Sequence, residues 1–181
     1  MARFCPLFSG SSGNCTYIGT PHGGILIDAG VSAKRIETAL LERGISPSSI
    51  EAIFVTHEHT DHTSGLRVLT KKYGYKVYAS AGTLYELERA ELLNYCREYG
   101  IIGDNGIAVA DMLVKRFRTS HDSRESLGFR VSTGDGRVLS VATDTGCMTQ
   151  EVRQSLMGSD LVQLNQTMMW KCLKVAATRI S

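Results

Sequence analysis

The sequence predicts an α/β domain in which sheets and helices stack in layers, and three observations predict it. Short apolar or β-branched runs recur along the chain, with segments of helical period between them. The runs Ile25-Leu26-Ile27 and Ala52-Ile53-Phe54-Val55 are apolar throughout, as in strands covered on both faces. The length of 181 residues suits one domain with a substantial core, and 43% apolar and 21% charged residues are ordinary for a globular chain.

Taken in order, residues 15–20 and 24–28 read as short strands joined by the turn Pro21-His22-Gly23-Gly24. Ser32 is the expected N-cap of a helix through Arg43, with Ile36, Ala39 and Leu40 on one face and Gly44 at its end. A strand over 52–55 follows, then a helix over 63–73, a strand over 76–79 and a helix over 82–93. Gly100, Gly103 and Gly106 interrupt any period across 94–111, and no element is assigned there. Strands over 112–119, 127–132 and 137–142, a helix over 149–157 and a strand over 160–164 complete the pattern.

Several function classes are disfavoured. A formal charge of +2 gives no argument for nucleic acid, and no apolar run approaches the roughly 18 residues of a membrane span. The N-terminus lacks a signal-peptide pattern. Five cysteines with no C-x-x-C pair point to reduced thiols in the cytoplasm, not to a cysteine zinc cage.

The chemistry concentrates in Thr56-His57-Glu58-His59-Thr60-Asp61-His62, directly after an apolar run. His57 and His59 point the same way on extended backbone, and the chain then turns to present Asp61 and His62. Imidazole nitrogens with carboxylate oxygens suit zinc, with manganese or iron as weaker alternatives.

This segment resembles the first signature of the metallo-β-lactamase superfamily, H-x-H-x-D-H after a buried strand. The resemblance is greatest to the bacterial cytosolic branch known as YycJ or WalJ. That branch shares the opening Leu7-Phe8-Ser9-Gly10-Ser11-Ser12-Gly13-Asn14-Cys15 and the strand end Ile27-Asp28-Ala29-Gly30. The likeness runs from about residue 3 to about residue 162. Thr119-Ser120-His121-Asp122, followed by Ser126-Leu127-Gly128, is similar to the superfamily's third motif, and Ala142-Thr143-Asp144-Thr145-Gly146 to its fourth.

The resemblance implies an αββα four-layer sandwich and a site for two zinc ions, with Mn2+ as the alternative. His57, His59 and His121 would hold one ion, Asp61 and His62 the second, and Asp144 both, with Asp61 and Asp144 counted as catalytic. A water bridging the ions would be the hydroxide nucleophile. The implied reaction is phosphodiester cleavage in DNA, of the 5′-exonuclease kind. A small-molecule thioester or phosphodiester hydrolase on the same fold is one alternative, and an inactive metal-binding remnant is another. Asp28 is expected to orient a ligand histidine from behind, unless it is an ordinary strand terminus. Ser11, Ser12, Gly13 and Asn14 are expected to offer backbone N–H groups to a phosphate, unless they form a plain tight turn. His22, in a hairpin turn, is not expected to be a ligand.

The pattern breaks toward the C-terminus. No histidine follows His121, whereas the resembled branch completes its second metal site from a Gly-His-Leu-Ser-Asn segment farther on. Where that branch reads Glu-Ser-Asn-His-Asp-x-x-Met-Leu, this chain continues Leu164-Asn165-Gln166-Thr167-Met168-Met169-Trp170-Lys171. Met168-Met169-Trp170 has the single encoding ATGATGTGG. Read two bases later in each codon, with the lysine codon behind it, this becomes Asp-Val-Glu, and permitted synonymous codons restore the rest of the family segment. The expectation is an incomplete metallo-β-lactamase-like domain over 1–164 and a frameshifted tail over 165–181. Such a chain is expected to bind about one zinc weakly and to have little activity.

Overall fold

The computed structural model describes residues 1–165; the rest of the expected tail, 166–181, lies outside the described residues. Two sheets pack face to face. The first has six strands in the order β1 (Arg3–Phe8), β2 (Cys15–Thr20), β3 (Gly23–Ile27), β4 (Ile50–Phe54), β5 (Lys76–Ala79) and β6 (Tyr99–Ile101). Its β1–β2 and β2–β3 pairs are antiparallel, and β3 through β6 run parallel. The second sheet has the order β11 (Leu161–Leu164), β10 (Val138–Ala142), β9 (Leu127–Thr133), β8 (Met112–Arg118) and β7 (Ile107–Val109). It is antiparallel except for the β10–β11 pair.

The fully apolar strands are explained by what they separate. Ile25 and Ile27 of β3, with Ala52 and Phe54 of β4, pack against Val114, Phe129, Val131 and Val141 of the second sheet. Leu26 and Ile53 face the other way, into a core shared with α1 (Ala33–Glu42), α3 (Leu66–Tyr73) and α4 (Ala81–Arg89). On the far face of the second sheet, Phe117 and Ala142 pack with Val152 of α5 (Gln150–Leu156). The layers are therefore helix, sheet, sheet, helix, with α5 as the fourth layer among the described residues.

The departures from expectation have local causes. β1 was not assigned from the sequence because Pro6 interrupts it, and it lies at a sheet edge, where a residue without an N–H is tolerated. Ser32 stands at the N-cap of α1, but its side chain makes no capping bond. A cap contributes about 1 kcal/mol, whereas burying Ile36 and Leu40 contributes about 1.5–3 kcal/mol each, so packing holds this helix. The helix expected over 63–73 is two helices, α2 (Thr60–Thr63) and α3, because Gly65 turns its N–H to Ala29 C=O. The helix expected over 82–93 stops at Arg89. Glu91 is left-handed (φ 56°), and Leu92 N–H returns to Leu87 C=O, which sends Leu93 into the core. Within 94–111 lie β6 and β7, whose three residues each are too few to show a period.

One close approach fixes the loops that follow β3 and β4. Gly30 N–H bonds Asn14 C=O at 2.7 Å, Asn14 N–H bonds Asp61 C=O at 2.8 Å, and a Cβ on Gly30 would lie 1.6 Å from Asp61 O. Gly30→Ala should push the Asp61 loop away and cost about 1–3 kcal/mol or more, as overpacking does. Equilibrium unfolding checks this, and a variant as stable as the parent would contradict it.

Candidate metal centre

The ligand-type residues all sit where strands end. β3 stops at Ile27, and Asp28 takes a left-handed backbone (φ 62°) that turns the chain out of the sheet. β4 stops at Phe54, and Thr56, His57 and His59 follow before α2 begins at Thr60. His121 lies in the loop between β8 and β9, and Asp144 comes two residues after β10, also left-handed (φ 49°). Leu127 N–H, at the start of β9, bonds Thr56 C=O and ties the two sheets together at this edge. The left-handed backbone at both aspartates, which Glu91 and Ala110 share elsewhere, turns the chain sharply out of the strands here.

The side chains converge in two overlapping groups. One donor atom each from His57, His59 and His121 lie within 4.8 Å of one another, and so do donors from His57, His62 and Asp144. Ring centroids of His57 stand 4.6 Å from His59, 4.0 Å from His62 and 4.6 Å from His121. His121 Nε2 is 3.2 Å from His59 Nδ1, and His62 Nε2 is 2.7 Å from Asp144 Oδ2. His57 is fully buried, yet its Nε2 has no hydrogen-bond partner among the described residues. A buried imidazole nitrogen without a partner is costly unless it has a ligand, so this set of donors fits a cation.

Behind the imidazoles stands Asp28, 1% exposed. Its carboxylate accepts the Thr56 N–H (2.8 Å) and hydroxyl, and it pairs with His62 Nδ1 at 2.7 Å. Burial, then the neighbouring His62, His121 and His59, hold the His57 pKa down to about 2, so this ring is neutral and its lone pair is free for a metal. At His62 burial acts downward, but the Asp28 and Asp144 carboxylates outweigh it and raise the pKa to about 10. Without a cation, a proton on His62 holds the two carboxylates together.

Not every expected site residue falls in the two groups. His57, His59, His121, His62 and Asp144 do. Asp61 lies beside them, a third exposed, with Oδ2 3.6 Å from His62 Nε2. His57, expected at one ion only, belongs to both groups. In the expected phosphate loop, two of the four backbone donors are already used. Gly13 N–H is taken by Gly10 C=O and Asn14 N–H by Asp61 C=O, so neither is available to a ligand. Asn14 instead contributes a buried side chain, whose Nδ2 lies 3.0 Å from His62 Nε2. Ser9, Gly10 and Ser11 line a cleft of about 830 Å³ with His57, His59, Asp61, His121 and Asp144. His22 is exposed in the turn between β2 and β3.

Sequence reasoning passed over four contributors. Thr56 was only the residue before a histidine; its one signal was a hydroxyl at the end of an apolar run. Glu58 Oε1 accepts Arg124 N–H and braces the His121 loop. Asp122 and Asn165 line the cleft, and Asn165 donates to Ser9 Oγ. The Glu58 and Asn165 contacts are long-range, and the Thr56 contacts depend on how the loop turns its side chains, so no local pattern marks them.

The four layers and the strand-end cluster of histidines and aspartates define a metallo-β-lactamase-type protein. A family model described as a beta-lactamase superfamily domain matches residues 24–175, and the chain belongs to that family. It is 34% identical to exodeoxyribonuclease YycJ of Bacillus anthracis over 160 residues, covering 87% of this chain and 60% of that protein. It is 32% identical to exodeoxyribonuclease WalJ of Streptococcus pneumoniae over 172 residues, covering 90% and 62%. The chain thus spans about 60% of the length of these relatives. The fold matches the short form of human tRNase Z with a TM-score of 0.67 at 18% identity, over 89% of this chain and 75% of that one. It also matches Zn(2+)-bound PqqB from Methylobacterium extorquens with a TM-score of 0.67 at 17% identity, over 82% and 58%.

The two histidine shifts set a pH dependence of opposite signs. His62, raised from 6.5 to about 10, stabilises the metal-free fold fully below pH 6.5, and that stability is lost as pH rises toward 10. His57, lowered from 6.5 to about 2, must stay neutral in the fold, so stability falls as pH drops below 6.5. Metal-free melting temperature should therefore peak near pH 6.5. Cation uptake at neutral pH should release the His62 proton, with affinity rising about tenfold per pH unit. Titration calorimetry in buffers of different ionisation enthalpy measures the released proton; pH-independent affinity would contradict this.

Proposed function

We propose that this domain hydrolyses phosphodiester bonds in DNA with divalent metal ions, working from a 5′ end. Zinc is the ion this donor set favours, and manganese the alternative. The observation that carries the reading is the convergence of His57, His59 and His121 on one point and of His57, His62 and Asp144 on the next, in an open cleft. Its substrate class rests on the exodeoxyribonuclease relatives.

His57, His59 and His121 would hold one ion; His62, Asp144 and Asp61 would hold the second. Divalent ions bound there would supply an acidified water and neutralise charge on the phosphoryl oxygens. The chain's own residues do the rest. Asp28 and Thr56 keep the imidazoles in place from the dry side. Asp61, open to the cleft, and Asp144 supply the negative charge that draws cations in. The Ser9 and Ser11 side chains border the space where a phosphodiester would lie. The free cysteines Cys5, Cys15, Cys96 and Cys147 fit a reducing compartment, and a cytoplasmic location belongs to this reading. Among the described residues no helix is long and apolar enough to cross a membrane.

The test compares the 181-residue chain with a version in which, on the expectation that the tail over 165–181 is frameshifted, the alternative frame is read after Leu164. Substrates are 5′-labelled DNA, bis-p-nitrophenyl phosphate and a lactoyl thioester, each with Zn2+ or Mn2+. The restored version should release nucleotides from the 5′ end and cleave the phosphodiester. His59→Ala or Asp144→Asn should lower both rates on the order of 100-fold or more, as removing a charge-stabilising group does. Turnover of the thioester alone, or rates indifferent to His59→Ala, would defeat the proposal.

A further inference from the structure

We propose that Thr56 is a positioning residue whose single hydroxyl decides which imidazole nitrogen His57 presents to a metal, and thereby couples the two donor groups. This rests on the reading that the cluster binds a divalent cation. Thr56 is wholly buried at the end of β4. Its Oγ1 lies 2.9 and 3.1 Å from the two Asp28 oxygens, 3.0 Å from His57 Nδ1 and 3.2 Å from His62 Nδ1.

Counting protons fixes the arrangement. A hydroxyl has one proton to donate and lone pairs to accept with. The Thr56 proton goes to Asp28, so Oγ1 can only accept from His57. Nδ1 of His57 therefore carries the hydrogen, and Nε2 is left bare. That is the atom with no hydrogen-bond partner among the described residues. Asp28 Oδ2, 2.7 Å from His62 Nδ1, holds the second ring in the matching orientation, with Nε2 turned to Asp144. Thr56 thus touches the anchoring carboxylate, the imidazole shared by both groups (His57) and the imidazole of the second (His62).

Its backbone does parallel work. Thr56 N–H donates to Asp28 Oδ1 at 2.8 Å, and its carbonyl accepts Leu127 N–H at 3.0 Å. Leu127 opens β9 directly after the loop that carries His121. Valine and serine at this position keep both backbone groups, so the hydroxyl can be tested separately. Valine keeps the branched shape without a proton or lone pair; serine keeps the hydroxyl without the methyl.

The experiment is nitrogen-resolved NMR of the imidazoles in the metal-free chain at pH 7.5, beside zinc titrations of the parent, Thr56→Val and Thr56→Ser. The parent should show His57 protonated on Nδ1 and bare on Nε2. Thr56→Val should release His57 into a mixture of tautomers and weaken zinc binding by about 10–100-fold, the usual effect of losing a partner behind a ligand. Thr56→Ser should restore both. A His57 proton on Nε2 in the parent would overturn the proposal even if Thr56→Val does not fold, and so would unchanged zinc affinity in a folded Thr56→Val chain. Absence of zinc binding by the parent would overturn the metal reading as well, so the two failures are distinguishable.

Discussion

The site depends on a carboxylate buried where the first sheet ends. Asp28 is removed from water, and a buried carboxylate is tolerated only when donors surround it. Here they are the Thr56 N–H, the Thr56 hydroxyl and His62 Nδ1. Each donor leaves its own group pointing one way: Thr56 toward His57, and His62 toward Asp144. The left-handed backbone at Asp28 turns the carboxylate toward them, and it is held by Asp28 N–H to Phe54 C=O and Ala29 N–H to His62 C=O. The anchoring charge and the histidine-bearing loop are therefore one hydrogen-bonded unit.

The rest of the fold supplies rigidity to that unit. β3 and β4 are buried on both faces, so the points where they release Asp28 and Thr56 cannot shift without disturbing two cores. The second sheet brings His121 and Asp144 from the opposite layer, and the bond from Leu127 to Thr56 sets the spacing between the layers at this edge. Farther out, Arg130 bonds the carbonyls of Ser155 and Met157 and the Ser159 hydroxyl, pinning the end of α5 to β9. The candidate ligand side chains are carried on loops, and the His121 loop is tied down by Thr119 N–H to Ser126 C=O and by Gly146 N–H to Ser120 C=O.

Much of this was legible in the sequence because the signals were local. Ile25-Leu26-Ile27 and Ala52 to Val55 announce strands sandwiched between layers, and the spacing of His57, His59, Asp61 and His62 carries its chemistry within six positions. His121 and Asp144 were placed by resemblance, since a single histidine or aspartate has no pattern of its own. What stayed hidden depends on how side chains are oriented in the folded loops. Asn14 was read as part of a loop of backbone donors, yet Gly13 and Asn14 spend those donors internally and the asparagine side chain reaches His62 instead. Thr56, an unremarked neighbour of a histidine, turned out to lie at the centre of the network. β1 and the short β6 and β7 were unreadable because a proline or a three-residue length erases periodicity.

In the proposed reading, His57, His59 and His121 close on a metal ion. A zinc-soaked crystal of the chain, measured on both sides of the zinc absorption edge, tests it most directly. An anomalous peak is expected about 2.0–2.1 Å from a ring nitrogen of each of these three residues. A zinc peak elsewhere, with the three rings still gathered around an empty centre, would contradict it.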